Sequence, residues 1–332
     1  MRNFSATNDK GGWATRRATT IFLIGLALML VNAPTRDAKA VEGGAGLYGL
    51  GINVPLSGIV PEPGTYYLNY FYFFDQSASI VPDRGLVEIG IKARGFSNIF
   101  TLLHVTDWKV LGGNFAVALY APLTSVNVDA SLLIIPFPIL GIATSDSAFG
   151  IGDLNVVPAI IGWHGKTWHA KAYFSFFAPT GGYSTSNLAN TGQNHWALDF
   201  GGGATWLDPK LGLEVSAALG YTVNFTNTAT NYRSGDELHL EWHIAQHLPI
   251  GGGTISLGLA GYYYQQITGD SGSGASLGDF KGRVIALGPS LNFNNVSFAG
   301  VKFGVNFRYM REFAARNRLT GDVVWGTISF KF

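Results

Sequence analysis

The 332 residues include no cysteine, which excludes a disulfide framework and a lipid-modified N-terminal cysteine. Charge is scarce as well. Asp, Glu, Lys and Arg make up 13% of the chain, about half of the roughly 25% found in soluble globular proteins, and this argues against an ordinary soluble enzyme. Beyond the N-terminus no run reaches the roughly 18–20 apolar residues that a membrane-spanning helix requires, so a helical membrane protein is excluded. A formal net charge of +1 with a pI near 7.9 leaves no basic footprint for nucleic acid. What the chain has instead is 44 glycines and 14% aromatic residues, the composition of alternating strands with aromatic ends. The fold class expected is all-β, an antiparallel transmembrane β-barrel.

Residues 1–40 read as a signal peptide. Arg16 and Arg17 supply positive charge, Ile21–Val31 an apolar core too short to span a bilayer, and Ala38-Lys39-Ala40 a small-residue cleavage site. The arginine pair also fits twin-arginine export, but that route carries folded cargo, so the general secretory route is favoured for a barrel. The remaining chain divides into a periplasmic or lumen-inserted segment, 41–64, and a barrel, 65–332.

Period-two alternation carries that division. Leu213, Val215, Leu219, Tyr221 and Val223 share one strand face, while Glu214, Ser216, Gly220, Thr222 and Asn224 share the other. Leu238, Leu240, Trp242, Ile244 and Leu248 likewise oppose Glu237, His239, Glu241, His243 and His247. Phe174 and Phe176 oppose Lys171 and Ser175, and Phe303, Val305, Phe307 and Tyr309 oppose Lys302, Asn306 and Arg308. A soluble sandwich could alternate in this way, but its strands usually have about five or six residues. Trp196 and Trp206 also fall on one face of one strand. At about 3.3 Å per residue and a tilt near 40° they lie roughly 25 Å apart along the membrane normal, the height of an apolar band.

Strands are expected near 65–75, 95–111, 113–122, 150–164, 167–178, 195–207, 211–226, 236–248, 255–268, 281–293, 296–312 and 318–332. Twelve is an even number, as single-chain bacterial barrels require, with ten or fourteen as alternatives. Short links (Gly112, Gly165-Lys166, Asp208–Lys210, Pro249–Gly253, Asn294-Asn295) alternate with longer polar ones, and this fits short periplasmic turns and long extracellular loops. The chain ends with Phe330 and Phe332 on the outward face, an ending similar to the signal by which barrel assembly machinery recognises its clients.

Ionisable residues in the polar register are the candidate lumen wall: Lys171, Asp199, Glu214, Glu237, His239, Glu241, His243, His247, Lys302 and Arg308. A lysine or arginine on the lipid face at mid-membrane would cost roughly 2–4 kcal/mol. The stripe from Glu237 to His247 has neighbours about 6.6 Å apart, within reach of a shared zinc, but a third ligand would have to come from another strand. Mutually satisfied lumen groups are the simpler reading, and no metal or cofactor is assigned. Asp270 and Asp279 could hold calcium, although Asx turns explain them as well. Gly201–Gly203 and Gly251–Gly253 lack the helix and lysine of a phosphate loop. Within a strand, Gly201–Gly203 permits a bend or close packing. No catalytic residue is assigned: a lipid hydrolase would need an outward Ser–His pair, and His104, His164 and His195 alone have an open register.

Many short motifs, taken in order, resemble those of the outer-membrane transporter family named for the meta-pathway of phenol degradation. They run from Val41–Gly44 and Pro61–Tyr66 through Asp107–Lys109, Gly150–Asp153, Gly162–His164 and Ala178–Gly181. Leu188–Gly192, Asn231–Gly235, Thr268–Gly274, Asp279–Arg283, Asn317–Leu319 and Trp325 follow. The resemblance spans nearly the whole mature chain. It implies an outer-membrane barrel of a Gram-negative bacterium and, by association, uptake of small hydrophobic or aromatic solutes. It supplies no catalytic residues. Alternatives are a structural barrel without transport or, less favoured, an outer-membrane lipid hydrolase.

Two further expectations concern the passage. Glu42–Gly64, rich in Pro and Gly but carrying Leu47, Tyr48, Leu50 and Ile52, is long enough to fold into the lumen and narrow it. Leu123–Phe149 is expected as an extracellular loop, with Leu133, Ile135, Phe137 and Ile139 forming a hydrophobic landing site for solute. Its partners would be the small hydrophobic solute, outer-membrane lipid or lipopolysaccharide. Extension of the neighbouring strands is the alternative for that stretch.

Overall fold

A computed structural model describes residues 46–80, 87–134, 141–276, 278–279, 281–298 and 301–332. The expected signal peptide lies outside the described residues. Thirteen strands form the sheet: β1 (Gly64–Ile80), β2 (Val87–Val110), β3 (Gly113–Ile134), β4 (Ile142–Ile151), β5 (Leu154–His164), β6 (Trp168–Ala178) and β7 (Ala197–Asp208), followed by β8 (Leu213–Asn224), β9 (Glu237–Ile250), β10 (Gly253–Gln266), β11 (Arg283–Phe298), β12 (Val301–Arg316) and β13 (Thr320–Lys331). All pairings are antiparallel, and β13 returns to β1 with Trp325 opposite Tyr72. The ring is closed through β1–β13 and β2–β3, and among the described strands only β4 has a single neighbour.

The barrel has twelve wall positions because β4 and β5 share one. Leu123–Leu132 of β3 pair with β4, and Asn114–Tyr120 pair with β5. The interruption falls at Gly152-Asp153, where the Gly152 amide donates to the carbonyl of Pro122 at 2.9 Å. Further down β5 the register shifts against both neighbours around Pro158, which has no N–H to give to a ladder.

Two sequence expectations are corrected here. The stretch 123–149 is a strand hairpin rather than a loop: β3 runs on to Ile134 and β4 returns from Ile142. The cause is visible in the alternation, with Val126 and Val128 buried inward and the polar Ser125, Asn127 and Asp129 between them. Leu133 therefore stands in a ladder opposite Glu88, while Ile135, Phe137 and Ile139 lie outside the described residues. Asn294-Asn295 is a bulge within β11, not a turn, since the register against β12 shifts between Phe293 and Val296.

One end carries tight turns. Leu111-Gly112 and Gly251-Gly252 have positive φ at both central residues, the type I′ geometry that suits the twist of paired strands. The other end carries the longer links 179–196, 225–236 and 267–282. Burial is inverted relative to a soluble protein. Trp196, Phe200, Trp206, Val215, Leu219, Ile244, Leu257 and Phe307 are exposed on the outer wall, while Arg308, His239, His243, Glu214 and Glu241 are among the largest fully buried side chains. An apolar band outside and charge inside is the arrangement that lipid requires.

Candidate functional site

The lumen is built from the inward face of every strand together with residues 46–63, which precede β1. This segment forms only single turns, at Gly49–Ile52 and Leu56–Ile59, so much of its backbone needs other partners. The barrel wall supplies them. Glu241 accepts the amides of Gly51 and Asn53, both at 2.8 Å, and Glu214 accepts the amide of Leu56 at 2.8 Å. Leu56 has φ of +51°, unusual for a side chain with a branched body, and its amide is the one held by Glu214. Thr205 accepts from Gly58 at 2.9 Å, Lys171 donates to Asn53 Oδ1 at 2.9 Å, and Trp325 Nε1 donates to the carbonyl of Leu50 at 3.0 Å. Tyr48 stacks on the His239 ring with centroids 3.6 Å apart.

Glycine makes the close approach possible. A Cβ on Gly203 of β7 would meet the carbonyl oxygen of Ser57 at 2.2 Å, and one on Gly58 would meet backbone atoms of His169 and Thr205 at 2.4 and 2.6 Å. Gly203 is therefore the point of β7 on which the segment sits, whereas a Cβ on Gly201 would meet the Tyr173 ring.

Half of the ten ionisable wall residues are brought together in two hydrogen-bonded groups. His239 Nε2 lies 2.9 Å from Asp199 Oδ1, which also accepts the Thr222 hydroxyl at 2.9 Å. Glu214 sits between His243 Nδ1 at 2.9 Å and His247 Nε2 at 2.7 Å and accepts Ser216 at 2.7 Å. Glu237 accepts Asn224 Nδ2 at 3.1 Å. Lys171 and Glu241 bind the segment instead, and the remaining two wall candidates do neither. Lys302 is exposed at the start of β12, and Arg308, 1% exposed, lies in the wall with its guanidinium 5.8 Å from the Trp325 ring. Among the described residues no three His, Asp or Glu side chains converge in a way that could hold a metal. Asp270 accepts Tyr232, Gly235 and Gln266, so it ties neighbouring loops together.

Opposite the anchored segment the wall changes character. Tyr66, Leu68, Tyr70, Tyr72 and Phe74 of β1 face inward, with Ile91, Ile99 and Leu103 of β2 and Val126 and Val128 of β3 beside them. Between this wall and the segment is a cavity of about 640 Å³. Sequence reasoning missed the aromatic wall because the other face of β1 (Tyr67, Phe71, Phe73) is equally aromatic, so alternation shows no contrast. It also missed Glu312, which accepts Gln76, Tyr262 and the Gly321 amide, and Arg318, stacked 4.4 Å from the Tyr264 ring.

Outside the membrane-spanning part, Asp146 on β4 accepts the amides of Leu188 and Ala189 at 2.9 Å. The Ala189, Ser147 and Leu188 amides hold its carboxyl below the usual carboxylate range and pin the β6–β7 loop to the hairpin.

The family described as "Putative MetA-pathway of phenol degradation" matches residues 74–328. None of the curated proteins matches the chain. Among solved structures, an outer membrane channel from Pseudomonas putida F1 is similar at 15% identity with a TM-score of 0.60, covering 84% of this chain and 99% of that one. The transport unit of the autotransporter AIDA-I from Escherichia coli aligns at 11% identity and a TM-score of 0.48, covering 91% and 98%. The beta domain of the Bordetella autotransporter BrkA aligns at 9% and 0.44, covering 82% and 100%. At 15% identity the likeness to the Pseudomonas channel is one of fold. A closed antiparallel barrel with an apolar exterior belongs in the outer membrane of a Gram-negative bacterium.

Proposed function

The chain belongs to this phenol-degradation family, and from that premise we propose that it is a passive outer-membrane channel for small hydrophobic or aromatic compounds, narrowed by residues 46–63. The observation that carries the reading is the two-sided lumen. A channel for sugars or ions needs polar groups along its whole path, whereas here the cavity is bounded on one side by Tyr70, Tyr72, Phe74, Ile99 and Val128. Burying a phenyl-sized solute against such a wall is worth roughly 1.5–3 kcal/mol at about 25 cal/mol per Å², enough for capture and weak enough for release.

The test is uptake of a labelled neutral aromatic, such as benzyl alcohol, by cells of a porin-deficient host with an intact lipopolysaccharide layer. Expression should accelerate benzyl alcohol entry and leave entry of a small sugar nearly as slow as in the empty host. Equal entry of both solutes, or no acceleration of either, overturns the reading; the second result would leave a structural barrel.

A further inference from the structure

We infer that the cavity contains a subsite for the carboxylate of an aromatic acid, formed by Arg308, Asn306 and Thr327; this rests on the reading of the lumen as a path for aromatic solutes and names a class within it. Arg308 lines the cavity, is 1% exposed, and its Nε and Nη2 have no hydrogen-bond partner. These two nitrogens form the side-on edge of the guanidinium, the edge that grips a carboxylate through two parallel hydrogen bonds. A buried guanidinium without an acceptor is costly, so a wall that keeps one facing a cavity is suited to an anion that enters it.

The neighbours agree. Thr327 stands opposite Asn306 in the β12–β13 ladder, and Trp325 stands opposite Arg308, so these side chains share one inward patch. The Asn306 amide has no partner at either its nitrogen or its oxygen, and the Thr327 hydroxyl has none. Both residues line the same cavity. Three donors thus share one patch of the cavity wall; among the described residues, Tyr173 Oη, Asp199 Oδ2 and Arg318 Nε are the other unpartnered polar atoms on its lining.

Local charge permits an anion. Of the charged side chains bounding the cavity, Lys171, Arg308 and Arg318 are basic, and the acidic ones are Asp153 and Asp199. Asp199 Oδ1 is taken by His239 and Thr222 while its Oδ2 has no partner, and Asp153 is taken by the amides of Gly181 and Gln193. Glu241, the acid whose charge acts on Arg308, is taken by the amides of Gly51 and Asn53. Aromatic rings adjoin the guanidinium: Tyr70 meets Trp325 edge-on at 6.2 Å and lies 6.2 Å from Tyr120. A ring packed there with its carboxylate on Arg308 satisfies both the apolar wall and the fork, which a bare inorganic anion would not.

The full-length protein in detergent micelles can be titrated with 4-fluorobenzoate and with 4-fluorobenzyl alcohol, which has the same ring without the charge, by fluorine NMR. The wild type should bind the acid about tenfold or more tightly than the alcohol, as expected for a charge-assisted pair. In Arg308→Gln the ratio should collapse to within about twofold, and in Arg308→Lys, which keeps charge but loses the fork, it should fall to an intermediate value. Acetate should compete poorly. A wild-type ratio near one, a ratio unchanged in Arg308→Gln, or displacement by acetate as effective as by the benzoate would overturn the subsite. If Arg308→Gln fails to form a heat-modifiable barrel, the wild-type ratio, the acetate competition and Asn306→Leu, expected to lower the ratio, still decide. Binding of neither ring would defeat the aromatic reading itself, whereas binding of the alcohol without preference for the acid would defeat only this inference.

Discussion

The two halves of the lumen wall were made by the same alternation and do opposite things. On β7–β9 the inward side chains are Asp199, Glu214, Glu237, His239, Glu241, His243 and His247, each with named partners, and residues 51–58 are bound to them. On β1–β3 the inward side chains are aromatic and aliphatic, and the cavity lies in front of them. A segment short of secondary structure settles where carboxylates can take its amides, and open space remains where none can. Position of the segment and position of the passage are therefore one decision.

Deleting residues 42–62 should give the largest effect, a several-fold rise in single-channel conductance of the barrel in a planar bilayer. Unchanged conductance would mean that the segment does not limit the path. Next in size is Glu241→Leu, which removes the acceptor for two backbone amides. With hydrogen bonds to charged groups contributing about 1.5–3 kcal/mol each, the segment should detach for part of the time and the current should flicker between two levels. Quiet recordings identical to wild type would show that Glu214, Thr205 and Trp325 suffice.

Gly203→Ala probes the same side sterically. Its Cβ would need the space of the Ser57 carbonyl, so the segment must shift, and proteolysis within 46–63 in the folded barrel should become faster. On the other half, Tyr70→Ser and Tyr72→Ser together should slow benzyl alcohol uptake without altering sugar entry. A parallel change in both would indicate a collapsed barrel rather than a lost aromatic path. The smallest effect belongs to Asp146, outside the lumen. Its folded carboxyl is held low by backbone amides, so the docking it provides is present above the unfolded value of about 3.9 and disappears as pH falls through the lower folded value. Asp146→Asn should show modestly faster amide exchange at Leu188 and Ala189 at neutral pH.

Strand faces were readable from β6 to β9 because apolar and polar residues differ there at every step. Leu213–Asn224 is the clear case: the even positions are buried inside and the odd ones face outward or lie between. The reading failed where the contrast vanished. β1 is aromatic on both sides, so Tyr70 and Tyr72 could not be told from Phe71 and Phe73. The run past Leu123 looked like a loop because Leu132–Leu140 is continuously apolar, although Ser125, Asn127 and Asp129 already continued the alternation. Asn294-Asn295 looked like a turn because asparagine pairs favour turns, and a bulge uses the same backbone freedom.

The sequence by itself determined that this chain forms an antiparallel barrel, for strand periodicity, girdle spacing and the shortage of charge are local properties that survive without knowledge of partners. It also determined which residues of β9 share a face. Only the tertiary structure decided what that face would hold. Glu241 meets Gly51 across 190 positions and Trp325 meets Leu50 across 275, and such contacts exist only once twelve wall positions close into a ring of fixed register. The register of the β12–β13 hairpin set Arg308, Asn306 and Thr327 together on one cavity wall, because the pairing register decides which side chains of two neighbouring strands meet on one face.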